Sequence, residues 1–154
     1  MVIYRLGSGR YPTNDGLGAI LHGGRWNQKG TAVIYAAASR ALCALEVLAN
    51  ANELAVNYIV TPIEVPEDLG KTALSVETLP SGWDAVQSIT ATGDIGTDWA
   101  NGLMASVLVV PSAVIRREHN YILNPRHPDF LIICFLSPER FYFDDRLRRA
   151  WLRK

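Results

Sequence analysis

The chain is 154 residues long, 49% apolar and 19% charged, with fifteen basic and fifteen acidic side chains. That size fits one domain, residues 1–154, with a substantial core, and the even charge balance argues against general nucleic-acid binding, which needs a basic excess. No apolar run approaches the roughly 20 residues of a spanning helix, and Met1-Val2-Ile3-Tyr4-Arg5 lacks the basic-then-apolar pattern of a secretory signal.

Val2 to Leu6 predicts a short strand carrying Arg5, and Gly7 to Gly18, rich in Gly, Ser, Pro, Asn and Asp, predicts a loop. Ala19 to His22 reads as a helical turn or a strand end. Gly23-Gly24 opens backbone conformations closed to other residues and lets a ligand approach the chain. Asn27-Gln28-Lys29-Gly30 is a turn, and Ala32 to Ala36, containing Val33, Ile34 and Tyr35, is a buried strand. Ser39 caps a helix that runs to about Asn50. Leu42, Leu45, Leu48 and Ala49 share one face of it, Glu46 lies at the border, and Cys43 and Val47 make the opposite side apolar too. The helix is therefore expected to be buried, and Glu46 with it.

Val56 to Val65 predicts a strand ending at Pro66, Glu67 to Gly70 a turn, and Lys71 to Val76 another short strand. Pro80-Ser81-Gly82-Trp83 is a break before a helical region that starts near Ala85 and is interrupted near Gly93, with a second helix over Thr97 to Met104. Ser106 to Val110 is a strand closed by Pro111-Ser112, and Asn120 to Pro125 is a short extended piece and turn. Leu131 to Leu136, strongly apolar, is expected as a central strand, Arg140 to Phe143 as the last strand, and Arg146 to Lys154 as a basic, helical tail. Short strands with helices between them, in no regular alternation, point to an α+β fold.

Chemistry concentrates early. From Gly16 to Leu45 there is no acid, while Arg25, Lys29 and Arg40 fall inside that span, and the first carboxylate to follow is Glu46. A buried carboxylate needs a partner, so Glu46 is either half of an arginine ion pair or a group that holds a substrate hydroxyl and stabilises developing positive charge. Arg25 is either a turn arginine or a guanidinium gripping phosphate or carboxylate. Tyr35 is either core or a ring beside a heterocycle. Ser112 reads as a turn former, and a triad of Ser112, His119 or His127, and Asp129 lacks any nucleophile-elbow motif. Cys43 and Cys134, each in an apolar run, read as buried free thiols of a reducing, cytoplasmic compartment. Neither they nor the histidines show zinc-ligand spacing, so no metal is expected. Residues 1–50 carry five basic side chains against two acids and residues 140–154 six against two, which suits an anionic ligand at the first segment and a partner at the tail.

Read together, Gly23-Gly24-Arg25-Trp26-Asn27, Val33-Ile34-Tyr35-Ala36, Ala44-Leu45-Glu46-Val47-Leu48, Val110-Pro111-Ser112 and Asn120-Tyr121-Ile122-Leu123-Asn124-Pro125-Arg126-His127-Pro128 strongly resemble the RES domain family, named for its Arg, Glu and Ser. The resemblance runs from about Ile3 to about Phe143. It implies a fold similar to ADP-ribosyltransferase toxins and the toxin role in a bacterial type II toxin–antitoxin pair. The implied partner is an Xre-like antitoxin with a helix-turn-helix region, through which alone DNA would be met. The implied activity is on NAD+ as substrate, with no further cofactor: degradation by hydrolysis or phosphorolysis, or transfer of ADP-ribose to a protein. Carried over by position, Arg5 and Arg25 would contact phosphates or ribose, Tyr35 would line the nicotinamide side, Glu46 would be the acidic catalytic residue, and Ser112 and Asn124 would complete the pocket. A non-catalytic nucleotide-binding module is the alternative from another class.

Overall fold

In the computed structural model, which describes residues 1–152, the elements run β1 (Val2–Ser8), α1 (Leu17–His22), β2 (Ile34–Ala37), α2 (Arg40–Asn50), β3 (Tyr58–Glu64) and β4 (Lys71–Ala73). They continue with α3 (Thr90–Asn101), β5 (Val107–Pro111), β6 (His119–Leu123), β7 (Cys134–Phe135), β8 (Glu139–Phe141) and α4 (Asp145–Trp151). The strands form one sheet in the order β4-β5-β6-β2-β1-β3-β7, with β8 also paired to β3, and only the β4–β5 pair is parallel. This is the α+β arrangement expected from the sequence.

One join in the sheet is weak. β1 pairs with β3 from Val2↔Glu64 to Ser8↔Tyr58, and β2 pairs with β6 from Ile34↔Leu123 to Ala37↔Asn120. Between β1 and β2 there is a single pair, Tyr4↔Ala37. Beyond it the two strands diverge, so the sheet has two halves hinged at one contact and open between them.

Both faces of the first half are covered. Val107 and Leu123 join Ile3, Ile34 and Ile63 in one core cluster, while their neighbours Leu108, Val110 and Ile122 join Trp26, Val33, Trp83 and Trp99 in another. Alternate side chains of a strand point to opposite faces, so a strand buried on both reads as the unbroken apolar run of β5. A third, smaller cluster of Ala37, Leu42 and Cys43 ties α2 to β1 and β2.

Several expectations are corrected. Leu131 to Leu136 is no central strand: residues 128–132 form a 3-10 turn, and only Cys134–Phe135 pairs, at the sheet edge. Leu131 and Ile132 are 89% and 56% exposed, and Cys134 is exposed as well rather than buried. The two helices expected around Gly93 are one, α3, which runs through Gly93 and Gly96. Glycine costs a helix about 1 kcal/mol against alanine, but a Cβ at Gly96 would collide with the Trp26 carbonyl, so close helix-to-loop packing overrides propensity. The β3 strand begins at Tyr58 rather than Val56, and β4 stops at Ala73 before a 3-10 turn at Val76–Thr78.

Ser39 does cap α2, its side chain accepting from the Leu42 N–H at 3.0 Å. The helix turns a different face inward than the leucine spacing suggests. Leu42 and Cys43 are buried and Glu46 is half-buried, whereas Leu45 is 39% exposed. The tail forms α4, capped by Asp144 and held by Trp151, whose indole N–H donates to the Leu48 carbonyl at 2.8 Å. The last two positions of the expected basic tail, 153 and 154, lie outside the described residues. No helix among the described residues is long and apolar enough to cross a membrane.

Candidate active site

The divergence of β1 from β2 opens a cleft of about 520 Å³, roofed by α2 and lined by Arg5, Arg25, Tyr35 and Glu46 among others. Parting the strands leaves backbone groups without ladder partners. Arg5, on β1, bridges the gap: its Nη1 donates to the Tyr35 carbonyl of β2 at 3.1 Å. Its Nε–H is buried and has no acceptor. Burial lowers the Arg5 pKa from its ordinary value, partly offset by Asp15 and Cys43, yet a guanidinium stays charged. The cleft therefore has a desolvated cation with an unused donor at its floor.

Glu46 faces that cation's cleft from α2 and is the only carboxylate lining it among the described residues. Two neutral donors converge on one of its oxygens: Ser112 Oγ at 2.7 Å and Asn120 Nδ2 at 2.6 Å, both on Oε1. Oε2 accepts only a longer bond, 3.2 Å, from Asn50 Nδ2 one turn along the helix. Among the described residues no arginine pairs with Glu46, whose partners are the neutral Ser112, Asn120 and Asn50 instead of the expected ion pair.

Ser112 has no choice of donor direction. Its oxygen accepts from the Val114 N–H at 3.1 Å and the Ile115 N–H at 2.9 Å, which occupies both lone pairs. The hydroxyl's one proton is thus committed to Glu46. Ser112 is fully buried, behind the carboxylate rather than on the cleft wall. Asn120 must likewise present its amino group, because a carboxylate cannot donate, and its Oδ1 is buried without a partner. The imagined serine triad does not assemble: Ser112 is bonded to Glu46, while His127 Nδ1 accepts from the Asp129 N–H at 3.1 Å in a separate turn.

The turn after α1 supplies the opposite wall. The Tyr35 hydroxyl donates to Asn27 Oδ1 at 2.7 Å and accepts from the Trp26 N–H at 3.0 Å. Asn27, buried, donates in turn to the carbonyls of Ala19, Gln28 and Thr31 at 3.0, 3.0 and 3.1 Å. Burial raises the Tyr35 pKa well above the ordinary phenol value, with the Trp26 N–H and Arg25 opposing. The phenol is therefore a fixed structural group at neutral pH, and its ring is what it offers the cleft. Gly24 has a packing reason as well: a Cβ there would lie 2.5 Å from the Tyr35 hydroxyl oxygen. Arg25 donates to the Trp83 carbonyl at 2.6 Å and the Ala85 carbonyl at 2.8 Å, binding a loop to the rim with two of its five N–H groups.

The structure thus gathers Arg5, Arg25, Tyr35, Glu46 and, behind it, Ser112. Asn124 is not among them. It lies at the far end of β6 from Asn120, fully buried, with Nδ2 donating to the Ala100 carbonyl at 2.9 Å and Oδ1 accepting from the Arg126 N–H at 3.1 Å. It ties α3 to the end of the sheet. Sequence reading missed Asn120, and one signal was present, since asparagine is depleted in strands and this one is the second residue of a strand. Among the described residues, no three His, Cys, Asp or Glu side chains converge as a metal site would need.

The family model described as "RES domain" matches residues 2–144. A protein named "Toxin Res" from Photorhabdus laumondii is 40% identical over 97% of this chain and 99% of its own length. A "Prs ADP-ribosylating toxin" from Sphingobium is 37% identical over 90% of each chain. Among solved structures, the M. tuberculosis MbcT–MbcA toxin–antitoxin complex contains a chain similar to this one, with a TM-score of 0.73 at 18% identity over 99% of this chain and 87% of that one. That likeness speaks for the fold alone, the α+β architecture described above. On the match over residues 2–144 and on relatives covering nearly its whole length, the chain belongs to the RES domain family.

Proposed function

We propose that this chain is the toxin of a toxin–antitoxin pair and that it consumes NAD+ by breaking the nicotinamide–ribose bond. The observation that carries the reading is Glu46, among the described residues the cleft's one carboxylate, held by Ser112 and Asn120 and in no ion pair. The bond breaks when nicotinamide departs with the electron pair, which cancels the charge on its ring and leaves cationic character on the ribose carbon. Glu46 stabilises that cation and holds a ribose hydroxyl through Oε2, whose only bond is the long one to Asn50. Arg5 and Arg25 face the pyrophosphate, and the Tyr35 ring orients nicotinamide. The acceptor oxygen then gives an electron pair to the ribose carbon and loses its proton, with Glu46 the nearby base. Nicotinamide is a good leaving group, so one carboxylate suffices.

The acceptor is water, phosphate or a protein side chain. The relative named as an ADP-ribosylating toxin favours keeping protein modification as the second reading. A passive anion-binding module fits less well, because an unpaired carboxylate repels the ligand such a module would hold. The expected partner is an Xre-like helix-turn-helix antitoxin that covers the cleft, in the cytoplasm where NAD+ is found. Support for a partner comes from the similar MbcT chain, which is seen in a toxin–antitoxin complex with MbcA.

The test is Glu46→Gln with labelled NAD+, with and without phosphate and cell lysate. Loss of the charge is expected to cut NAD+ consumption by roughly 100-fold or more while circular dichroism stays unchanged. Full activity in that variant sinks the assignment. In the wild-type protein the label ends on free ADP-ribose, a phosphorylated product or a protein band, which names the acceptor.

A further inference from the structure

One residue of the cleft is only half used by the contacts described so far. Asn50 is the last residue of α2, one turn beyond Glu46, and lines the cleft from an exposed position. Its side-chain amide is held in one orientation. Nδ2 donates to the Glu46 main-chain carbonyl at 2.9 Å and to Glu46 Oε2 at 3.2 Å. Both of those oxygens only accept, so the amide nitrogen faces them and the amide oxygen, Oδ1, is turned away. Among the described residues nothing donates to Oδ1. The shorter bond, to a carbonyl of the same helix, keeps that orientation when a ligand takes the longer one.

Glu46 Oε2 and Asn50 Oδ1 are thus neighbouring hydrogen-bond acceptors at one corner of the cleft. The surroundings of that corner are negative. A helix C-terminus carries roughly half an elementary negative charge, and the last turn of α2 has no basic side chain to offset it. The two arginines of the cleft are engaged elsewhere, Arg5 on the Tyr35 carbonyl and Arg25 on the carbonyls of Trp83 and Ala85. An inorganic phosphate entering this corner meets a carboxylate, an amide oxygen and a helix C-terminus, and each of them repels it. A water molecule meets two acceptors, one for each of its hydrogens.

We propose that Asn50 is the positioning residue for the molecule that attacks the ribose carbon, and that this molecule is water and not phosphate. The proposal rests on the NAD+ cleavage argued above and names its second substrate. Water sits with one hydrogen on Glu46 Oε2 and the other on Asn50 Oδ1. Once nicotinamide has left with its electron pair, the water oxygen gives a pair to the ribose carbon. The proton on the Oε2 side passes to Glu46, which returns it to solvent. The other hydrogen stays on the new hydroxyl, bonded to Asn50. The products are nicotinamide, ADP-ribose and one proton.

Methanol provides the test, because it offers the same attacking oxygen with only one hydrogen to donate. The wild-type protein and Asn50→Ala are incubated with labelled NAD+ in water–methanol mixtures and, separately, with inorganic phosphate. The ratio of methyl ADP-riboside to ADP-ribose is read within one reaction, so it does not depend on how much enzyme is folded. The wild-type protein is expected to prefer water over methanol, mole for mole, and to form no phosphorylated product. In Asn50→Ala, kcat for nicotinamide release falls about 3- to 10-fold with KM for NAD+ unchanged, and the preference for water falls by a similar factor. A phosphorylated product from the wild-type protein overturns the proposal, and so does a water-to-methanol ratio that Asn50→Ala leaves unchanged. A wild-type protein that leaves NAD+ intact defeats the cleavage reading and this role with it. Cleavage with an unchanged ratio removes Asn50 alone.

Discussion

Glu46 illustrates how much depends on single hydrogen bonds. Ser112 and Asn120 both donate to Oε1, which fixes the carboxylate's rotation and turns Oε2 to the ligand. A hydrogen bond to a charged group contributes about 1.5–3 kcal/mol, so Ser112→Ala or Asn120→Ala should each lower kcat by roughly 10- to 100-fold. Thermal melting near the wild-type value would place the loss in catalysis, and unchanged kcat in both variants would remove them from the site. Gly24→Ala tests the opposite wall, since its Cβ would press on the Tyr35 hydroxyl, which also bonds Trp26 and Asn27. Overpacking of this kind costs about 1–3 kcal/mol, to be read as a lower urea midpoint. The residue types of Arg5, Arg25, Tyr35 and Glu46 were legible because each is out of place in its local context or matches a family motif. Asn120 and Ser112 were harder to read. Ser112 was marked only by the family motif and Asn120 only by its rarity in strands, since the partner of each, Glu46, lies 66 and 74 positions away.

Elements decide where those residues are held. The α2 helix presents Leu42, Cys43 and Glu46 inward because that edge fits the small surface of Ala37, Tyr4 and Leu6. Leu45 is instead 39% exposed, and the Leu48 carbonyl accepts from the Trp151 indole of α4. The α3 helix depends on Gly96, whose missing side chain admits the Trp26 backbone, and Gly96→Ala should lower stability by about 1–3 kcal/mol or more, read as a lower urea midpoint. Arg25 joins two elements by binding the Trp83 and Ala85 carbonyls. In Arg25→Ala that loop loses its tie to the rim. Hydrogen exchange should then quicken at the Trp83 and Ala85 N–H groups, which bond Pro80 and Gly82. Protection identical to wild type would mean the loop stands without Arg25.

At the scale of the whole molecule, the fold is a sheet deliberately parted at one join, with Tyr4↔Ala37 as its only pair there. The groups around that parting lie in low dielectric and respond to pH together. Burial pushes the Cys43 thiol up to about 11 from 9.0, while its Sγ–H donates to the Tyr4 carbonyl at 2.8 Å. A folded-state pKa above the unfolded one stabilises fully below pH 9 and is lost as pH rises to 11, at most about 2–3 kcal/mol for this shift. Tyr35, raised in the same direction by burial, adds to the loss at still higher pH. Urea midpoints compared at neutral pH and near pH 11 should fall, and fall less in Cys43→Ala; an equal fall in the variant would clear Cys43. The chain by itself determined what is local: the β1 and β5 strands (β1 running on through Gly7 and Ser8, where a loop was expected), the Ser39 cap, the loop that follows β1 as far as α1, and the order of Arg5, Arg25, Tyr35 and Glu46 that marks the family. Periodicity and propensity carry that information because they arise from neighbours within a few residues. Only the tertiary structure decided that Leu131 is exposed, that α3 runs through two glycines, that Asn124 belongs to the frame, and that Ser112 and Asn120 meet on one oxygen. Each of those outcomes is set by a surface contributed from elsewhere in the chain, and a one-dimensional pattern does not record which surface that is.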